Sequence, residues 1–236
     1  MAERVKTKRP YNSPRRQQQA AATRRAILEA AQQLFEQQGY AATTMDAIAA
    51  ETGVALKTVY SAFVTKSRLL RALWDLLLKG DQDDTSVAER PWYLEIMEER
   101  DPERKLRLNA RNARVVKIRI AGLLEVIRNA ATVDGDSAAL WALIQSDFYA
   151  NQRVIVETLH ANNALRADLD VTRATDILWT LNHPDVWLLL VGRRGWTPEQ
   201  FEQWFGDTTC AQLLKSNCRA GPGKTLRGRR AAPGPG

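Results

Sequence analysis

The stretch TTMDAIAAETGVALKTVYSAFVTK, Thr43–Lys66, holds two short apolar patterns on either side of Gly53. In the first, Met45, Ile48 and Ala49 recur at the spacing of one helix face. Thr43 is placed to cap that helix, with Asp46 three residues on in the position of the capping-box acid. A further helix is expected from about Ala55 to Phe63, with Val59 and Phe63 facing a core and Val54 filling the corner. Two short helices joined by a tight glycine turn make a helix-turn-helix, whose second helix fits the DNA major groove. Such corners also occur in many all-helical proteins that do not touch DNA. What distinguishes this one is its outer face. Lys57, Thr58, Tyr60 and Ser61 bring a charge, hydroxyls and an aromatic ring, chemistry suited to phosphates and base edges.

Upstream, Ile27, Leu28, Ala31, Leu34 and Phe35 form one apolar helix face, and Gly39 supplies the residue that can take a positive φ at its end. Downstream, Leu69, Leu70, Leu73, Trp74 and Leu77 extend a fourth helix that Gly80 terminates. The chain of 236 residues carries a formal charge of +7, but unevenly. Residues 1–25 hold eight Lys/Arg against Glu3 alone, residues 215–236 hold six and no acid, and the segment between them is acidic, with 20 bases against 26 acids. The expected organisation is a disordered basic arm over 1–22, a helix-turn-helix head over 23–66, a helical body over 67–214 and a disordered basic tail over 215–236. Each tail reads equally as an anion-binding arm or as a solubilising extension. The longest apolar run, Val186–Val191, is far below the roughly 18 residues of a membrane span, so no membrane partner and a cytoplasmic location, on the nucleoid when DNA is bound, are expected. Cys210 and Cys218 form no CxxC pair and have no histidine cluster beside them, so no metal or other cofactor is implied.

From the threonine that opens the second helix, through Gly53-Val54 and the Tyr60-x-x-Phe63 pair, to Lys66 at the fourth helix, the head closely resembles the tetracycline-repressor (TetR) family over about residues 24–74. The resemblance implies phosphate contacts from Thr44 and Lys66, a contact to backbone or a thymine methyl from Tyr60, and sequence reading by Lys57, Thr58 and Ser61. Ala62 departs from the polar residue many members carry and offers only an apolar contact. The resemblance also implies an all-α fold, a homodimer built on the last two long helices, a pseudo-palindromic double-stranded DNA operator and a small-molecule effector that releases a repressor from it.

In the body, helices are expected near 92–99, 102–116, 118–132, 136–162, 171–192 and 197–214. Pro184 is expected to kink the fifth of these and free the Thr180 carbonyl. Ile177, Leu178, Leu181, Trp187, Leu188 and Val191, with Phe201, Trp204, Phe205, Leu213 and Leu214, offer apolar surface for a partner subunit. An effector pocket is expected among Trp92, Met97, Asn112, Trp141, Phe148, Trp179 and His183, with Asn182 beside the last. Buried Arg111 or Arg114 would favour an anionic effector, and solvated ones a neutral or cationic aromatic compound. Glu157-x-x-His160 has the spacing of half a di-iron motif, but the chain has two histidines and His183 has Thr180 where the second glutamate belongs. No phosphate loop or nucleophile elbow is present, so an enzyme is not expected. The alternatives are a sequence-tolerant architectural DNA binder and a small-molecule-binding protein without operator recognition.

Overall fold

Helix α1 (Pro14–Ala42) begins ahead of the start at about residue 23 that apolar periodicity implies. The reason is intrinsic propensity: Arg15–Arg25 is built almost wholly of Arg, Gln and Ala, strong helix formers that need no core to face. Residues 15–22 of the expected disordered arm are therefore exposed helix. The computed structural model describes residues 14–80 and 85–216. The basic arm's Arg4, Lys6, Lys8 and Arg9, and all but the first two residues of the basic tail, Cys218 among them, lie outside the described residues.

The regular run of α1 breaks at Gly39, whose φ of 79° and ψ of 171° suit a residue without Cβ. That break decides the next cap. Thr43, fully buried, turns its hydroxyl back to the Gly39 carbonyl at 2.9 Å, so the N-cap of α2 (Met45–Thr52) is Thr44 and not Thr43. The Thr44 hydroxyl accepts from the Ala47 N–H at 3.0 Å. Gly53, at φ 68°, closes α2 in the left-handed conformation, and α3 (Leu56–Phe63) follows. Helix α4 (Lys66–Lys79) starts at Thr65, whose hydroxyl accepts from the Arg68 N–H.

The chain divides into two compact units, Met1–Asp84 with Ile118–Ser146 and Thr85–Lys117 with Asp147–Gly236. In the first, Ile27, Phe35, Ile48, Val59, Phe63, Leu69, Leu70 and Leu73 are buried together with Leu123, Leu124 and Ile127. Each such side chain contributes roughly 1.5–3 kcal/mol on leaving water, so this small head is held chiefly by its apolar faces. Its fourth helix is pinned by hydrogen bonds from the Ser67 hydroxyl to the Asp136 carboxylate and from the Arg119 guanidinium to the Leu78 carbonyl.

The second unit takes α5 (Pro91–Glu98), the first part of α6 (Pro102–Ala130), the later part of α7 (Gly135–Ala161), α8 (Val171–Leu181), α9 (Pro184–Trp187) and α10 (Pro198–Leu213). Helix α6 is continuous, where two helices separated at residue 117 were expected. Leu106, Ala110, Ala113, Lys117, Ile120 and Leu124 recur along one buried face of it, and Lys117 occupies a core position rather than a break. Pro184 does more than kink its helix. Helix α8 ends at Leu181 and α9 restarts with Pro184 at its first position, the one interior-like place where the missing N–H costs nothing. The Thr180 carbonyl is not left free, since it accepts from the His183 N–H at 3.1 Å. A π-helical turn, Leu188–Arg193, completes this stretch.

Phe201, Phe205, Leu213, Leu214, Leu178 and Trp187 go to the unit's own core, with the Trp187 and Phe205 rings packed on Phe201. Ile177, Leu181, Leu188, Val191 and Trp204 stay half-buried and Leu189 is half-exposed, so apolar surface remains open here among the described residues. Among the described residues no helix is long and apolar enough to cross a membrane.

Candidate nucleic-acid interface and sensing site

The geometry of α3 separates its two faces cleanly. Val59 and Phe63 are buried, whereas Lys57, Thr58, Tyr60 and Ser61 are all exposed, Tyr60 to 46%. The helix is held from behind by Arg24, whose guanidinium donates to the Ala62 carbonyl at 2.9 Å and lies 4.1 Å from the centre of the Phe63 ring. Ala62 is half-buried at this contact. The outward residues thus stand on a rigid element with their backs fixed, the arrangement that base reading requires.

Thr44 lies at the N-terminus of α2, exposed, with its hydroxyl engaged in the cap. Lys66 is placed differently from expectation. Its ammonium turns inward, donating to the carbonyls of Tyr40 at 2.6 Å and Thr43 at 2.8 Å and lying 4.1 Å from the centre of the Tyr40 ring. Burial holds the Lys66 pKa below the usual lysine range, against the opposing pull of Asp134. Burial also raises the Tyr40 phenol, and the Asp134 charge adds to it. The first backbone N–H groups of α4 precede any intrahelical acceptor, and that of Arg68 is taken by the Thr65 hydroxyl.

Residues 27–73 match the family model described as bacterial regulatory proteins, tetR family. Over these residues the head is similar to the TetR family. The uncharacterized HTH-type transcriptional regulator YhgD of Bacillus subtilis is 38% identical over 68 residues, a segment that is 29% of this chain and 36% of YhgD. Beyond the head the likeness is one of fold. A transcriptional regulator from Saccharomonospora viridis, solved with choline, is 18% identical at a TM-score of 0.65, over 83% of this chain and 99% of that one. NalD of Pseudomonas aeruginosa, the secondary repressor of the MexAB-OprM efflux pump, is 21% identical at 0.63, over 84% and 99%. The SmeT–triclosan complex is 19% identical at 0.61, over 89% and 100%. The all-helical fold of these structures therefore extends through the body.

Of the seven residues expected to line a pocket in that body, three meet. The His183 ring lies 4.9 Å from Trp179 and 6.3 Å from Phe148, and Tyr149 adds an edge contact to Trp179 at 6.3 Å. His183 is the N-cap of α9, its Nδ1 accepting from the Asp185 N–H. The others are elsewhere. Trp141 belongs to the first unit, under the Arg128 guanidinium; Trp92 packs on Tyr93; Met97 gives its carbonyl to the buried Lys105 ammonium; Asn112 is half-buried on α6. Arg111 is exposed, and Arg114 is bound by Glu202 at 2.5 Å and Glu199 at 3.3 Å. Arg114 is thus taken by two glutamates, while Arg111 faces solvent.

Sequence reading missed a second cation. Lys117, 4% exposed, donates to the Asn182 side-chain oxygen, and Asn182 donates to Gln152 Oε1 at 3.1 Å. Burial lowers the Lys117 pKa to about 7. The signal was present as a lysine in register with Ala113, Ile120 and Leu124, but a helix boundary drawn at 117 conceals it.

Proposed function

We propose that this protein is a homodimeric transcriptional repressor whose head, residues 23–66, grips a pseudo-palindromic operator and whose body, residues 67–214, releases it on binding a small molecule. The observation that carries this reading is the two-faced α3: four exposed groups of DNA-contacting chemistry on a helix whose other face is fixed in the core of a head similar to the TetR family. Lys57, Thr58 and Ser61 read bases, Tyr60 touches backbone or a thymine methyl, and Thr44 with the N-terminus of α4 binds phosphate. The partly covered apolar surface around Leu188, Leu189 and Val191 suits pairing with a second copy. Similar folds solved with choline and with triclosan support a body that holds small organic molecules. Catalysis plays no part in this reading, and the protein acts in the cytoplasm, at the nucleoid when DNA-bound.

Footprinting on the DNA flanking the gene tests it. A discrete protected palindrome is expected, with half-sites one helical turn apart or a multiple of it, because the dimer's twofold axis must match the duplex. Uniform coating of any duplex would instead support an architectural binder, and no binding a ligand carrier.

A further inference from the structure

The second unit buries a cation that has no counter-ion among the described residues. Lys117 is packed against the neutral Asn182 amide, with its ammonium 5.4 Å from the centre of the Phe201 ring, and among the described residues it takes part in no ion pair. Four acids of α6 and α10 are committed elsewhere. Glu199 and Glu202 hold Arg114, and Glu103 and Asp207 hold Arg107. An ammonium taken out of water without an anion is costly, and a methionine in its place would serve the core better. Three residues before Asn182 stands a donor that is unmet: among the described residues, the buried Trp179 indole N–H has no acceptor. The chain ties the two together: Asn182 precedes His183, which packs on Trp179, and Gln152 follows Phe148 by one turn of α7. An inner polar chain of Lys117, Asn182 and Gln152 thus adjoins a half-buried group of aromatic rings.

Resting on the reading of the body as a sensing domain, we propose that this is the effector site and that it takes an aromatic carboxylate. The carboxylate replaces the Asn182 oxygen as acceptor for Lys117, the ring packs among Phe148, Trp179 and His183, and the ligand supplies the acceptor that the indole lacks. The choice of an anion follows from what is already there. A neutral acceptor gains nothing by displacing the Asn182 amide, and a cation is repelled. Because burial lowers the Lys117 pKa to about 7, a bound carboxylate draws a proton onto it. The titratable groups on facing elements are Tyr149 on α7, His183 and Asp185 at α9, and Glu199 and Glu202 on α10. Tyr149 donates to Asp176, His183 and Asp185 face each other, and both glutamates hold Arg114.

The test uses the full chain, with benzoate and salicylate against benzamide, salicylamide and choline, followed by tryptophan fluorescence and calorimetry. Carboxylates should bind at least about tenfold tighter than their amides, as a charge-assisted bond requires. Their affinity should be flat below pH 7 and fall by about tenfold per unit above it, with uptake of about one proton at pH 8. Lys117→Met should abolish both the preference and the pH limb. Asn182→Asp, which installs an internal anion, should exclude carboxylates while leaving the fold intact, and His183→Gln should keep the pH limb. Amides or choline binding as tightly as the carboxylates, no carboxylate binding at millimolar concentration, or a pH limb that persists in Lys117→Met would each overturn the proposal. Footprints run on the same preparations separate the two claims. A footprint without carboxylate preference removes the ligand assignment alone, whereas carboxylate binding without any footprint removes the regulator reading and leaves the anion site standing.

Discussion

Lys66 in the first unit and Lys117 in the second are both drawn out of solvent, but on different terms. The Lys66 ammonium has two backbone carbonyls and a ring face, and by holding them it ties the corner between α1 and α2 to the start of α4. Lys117 has one amide oxygen and a more distant ring. A carbonyl left by a broken helix needs a donor, so the first lysine completes its surroundings. The second, among the described residues, meets no anion. The comparison teaches that burial of the same side chain marks structure in one place and an unfilled role in the other, and the difference lies in the partners.

The largest expected effect follows from Lys117. Its folded pKa of about 7 lies below the ordinary lysine value of about 10.4, so between those values the unfolded chain binds more protons than the native one. Stability therefore rises with pH across that window, by up to about 5 kcal/mol, and is lost as pH falls toward 7. Lys117→Met should remove this slope and be the more stable protein at pH 6, read from urea unfolding at pH 6 and 9. If wild type and variant show the same pH dependence, Lys117 is not buried as a cation and the contrast with Lys66 collapses.

Lys66→Met should act in the opposite direction. It leaves the Tyr40 and Thr43 carbonyls without their donor, which costs about 2 kcal/mol or somewhat more. Thermal unfolding measures that loss. With the ammonium turned inward, the slope of log operator affinity against log salt should stay where it was. A fall of about one unit in that slope would show that Lys66 leaves its carbonyls for a phosphate when DNA binds.

The head was legible because one short signature fixes both its faces. Met45, Ile48, Val59 and Phe63 mark the core, and Lys57, Thr58, Tyr60 and Ser61 are left facing outward, as the structure places them. The cap was misread by one position because Gly39 breaks α1 in a way that gives the buried Thr43 a carbonyl to satisfy, leaving Thr44 as the cap. The body was less legible for a physical reason too. A buried lysine looks like a solvated one in sequence, so α6 was divided where its core face in fact continues, and the polar chain with Asn182 and Gln152 vanished with it. Of the aromatic residues expected at a pocket, Phe148, Trp179 and His183 do meet, but Trp141 and Trp92 turn to other neighbours, since a large ring packs wherever there is apolar area.

Within the head, Tyr60 sets function apart from stability. Tyr60→Ala should weaken operator binding by about 1–3 kcal/mol, the scale of one good contact. Because the side chain is half-exposed, the melting temperature should hardly move. A variant that loses stability but keeps its operator would return Tyr60 to the structural class of Phe63.

The smallest effect concerns Val64, between the reading helix and α4. It closes α3 with a φ of 57° and a ψ of −51°, and its N–H donates to the Tyr60 carbonyl at 2.8 Å. A β-branched residue is poorly suited to positive φ, because its Cβ substituents crowd the backbone there. Val64 is also 56% exposed, so the side chain gives back little by packing. Val64→Gly relieves the strain at the cost of a more flexible unfolded chain, and the balance should favour the native state by about 1 kcal/mol, or 2–4 °C in melting temperature for a chain of this size. A lower melting temperature would mean that the turn does not hold this backbone conformation. Operator affinity measured on the same variant carries the comparison further. Unchanged affinity places Val64 with Lys66 among residues that serve the fold, whereas greater stability combined with weaker binding would show that the strained turn aims the N-terminus of α4 at DNA, a second place in the molecule where stability is given up for function.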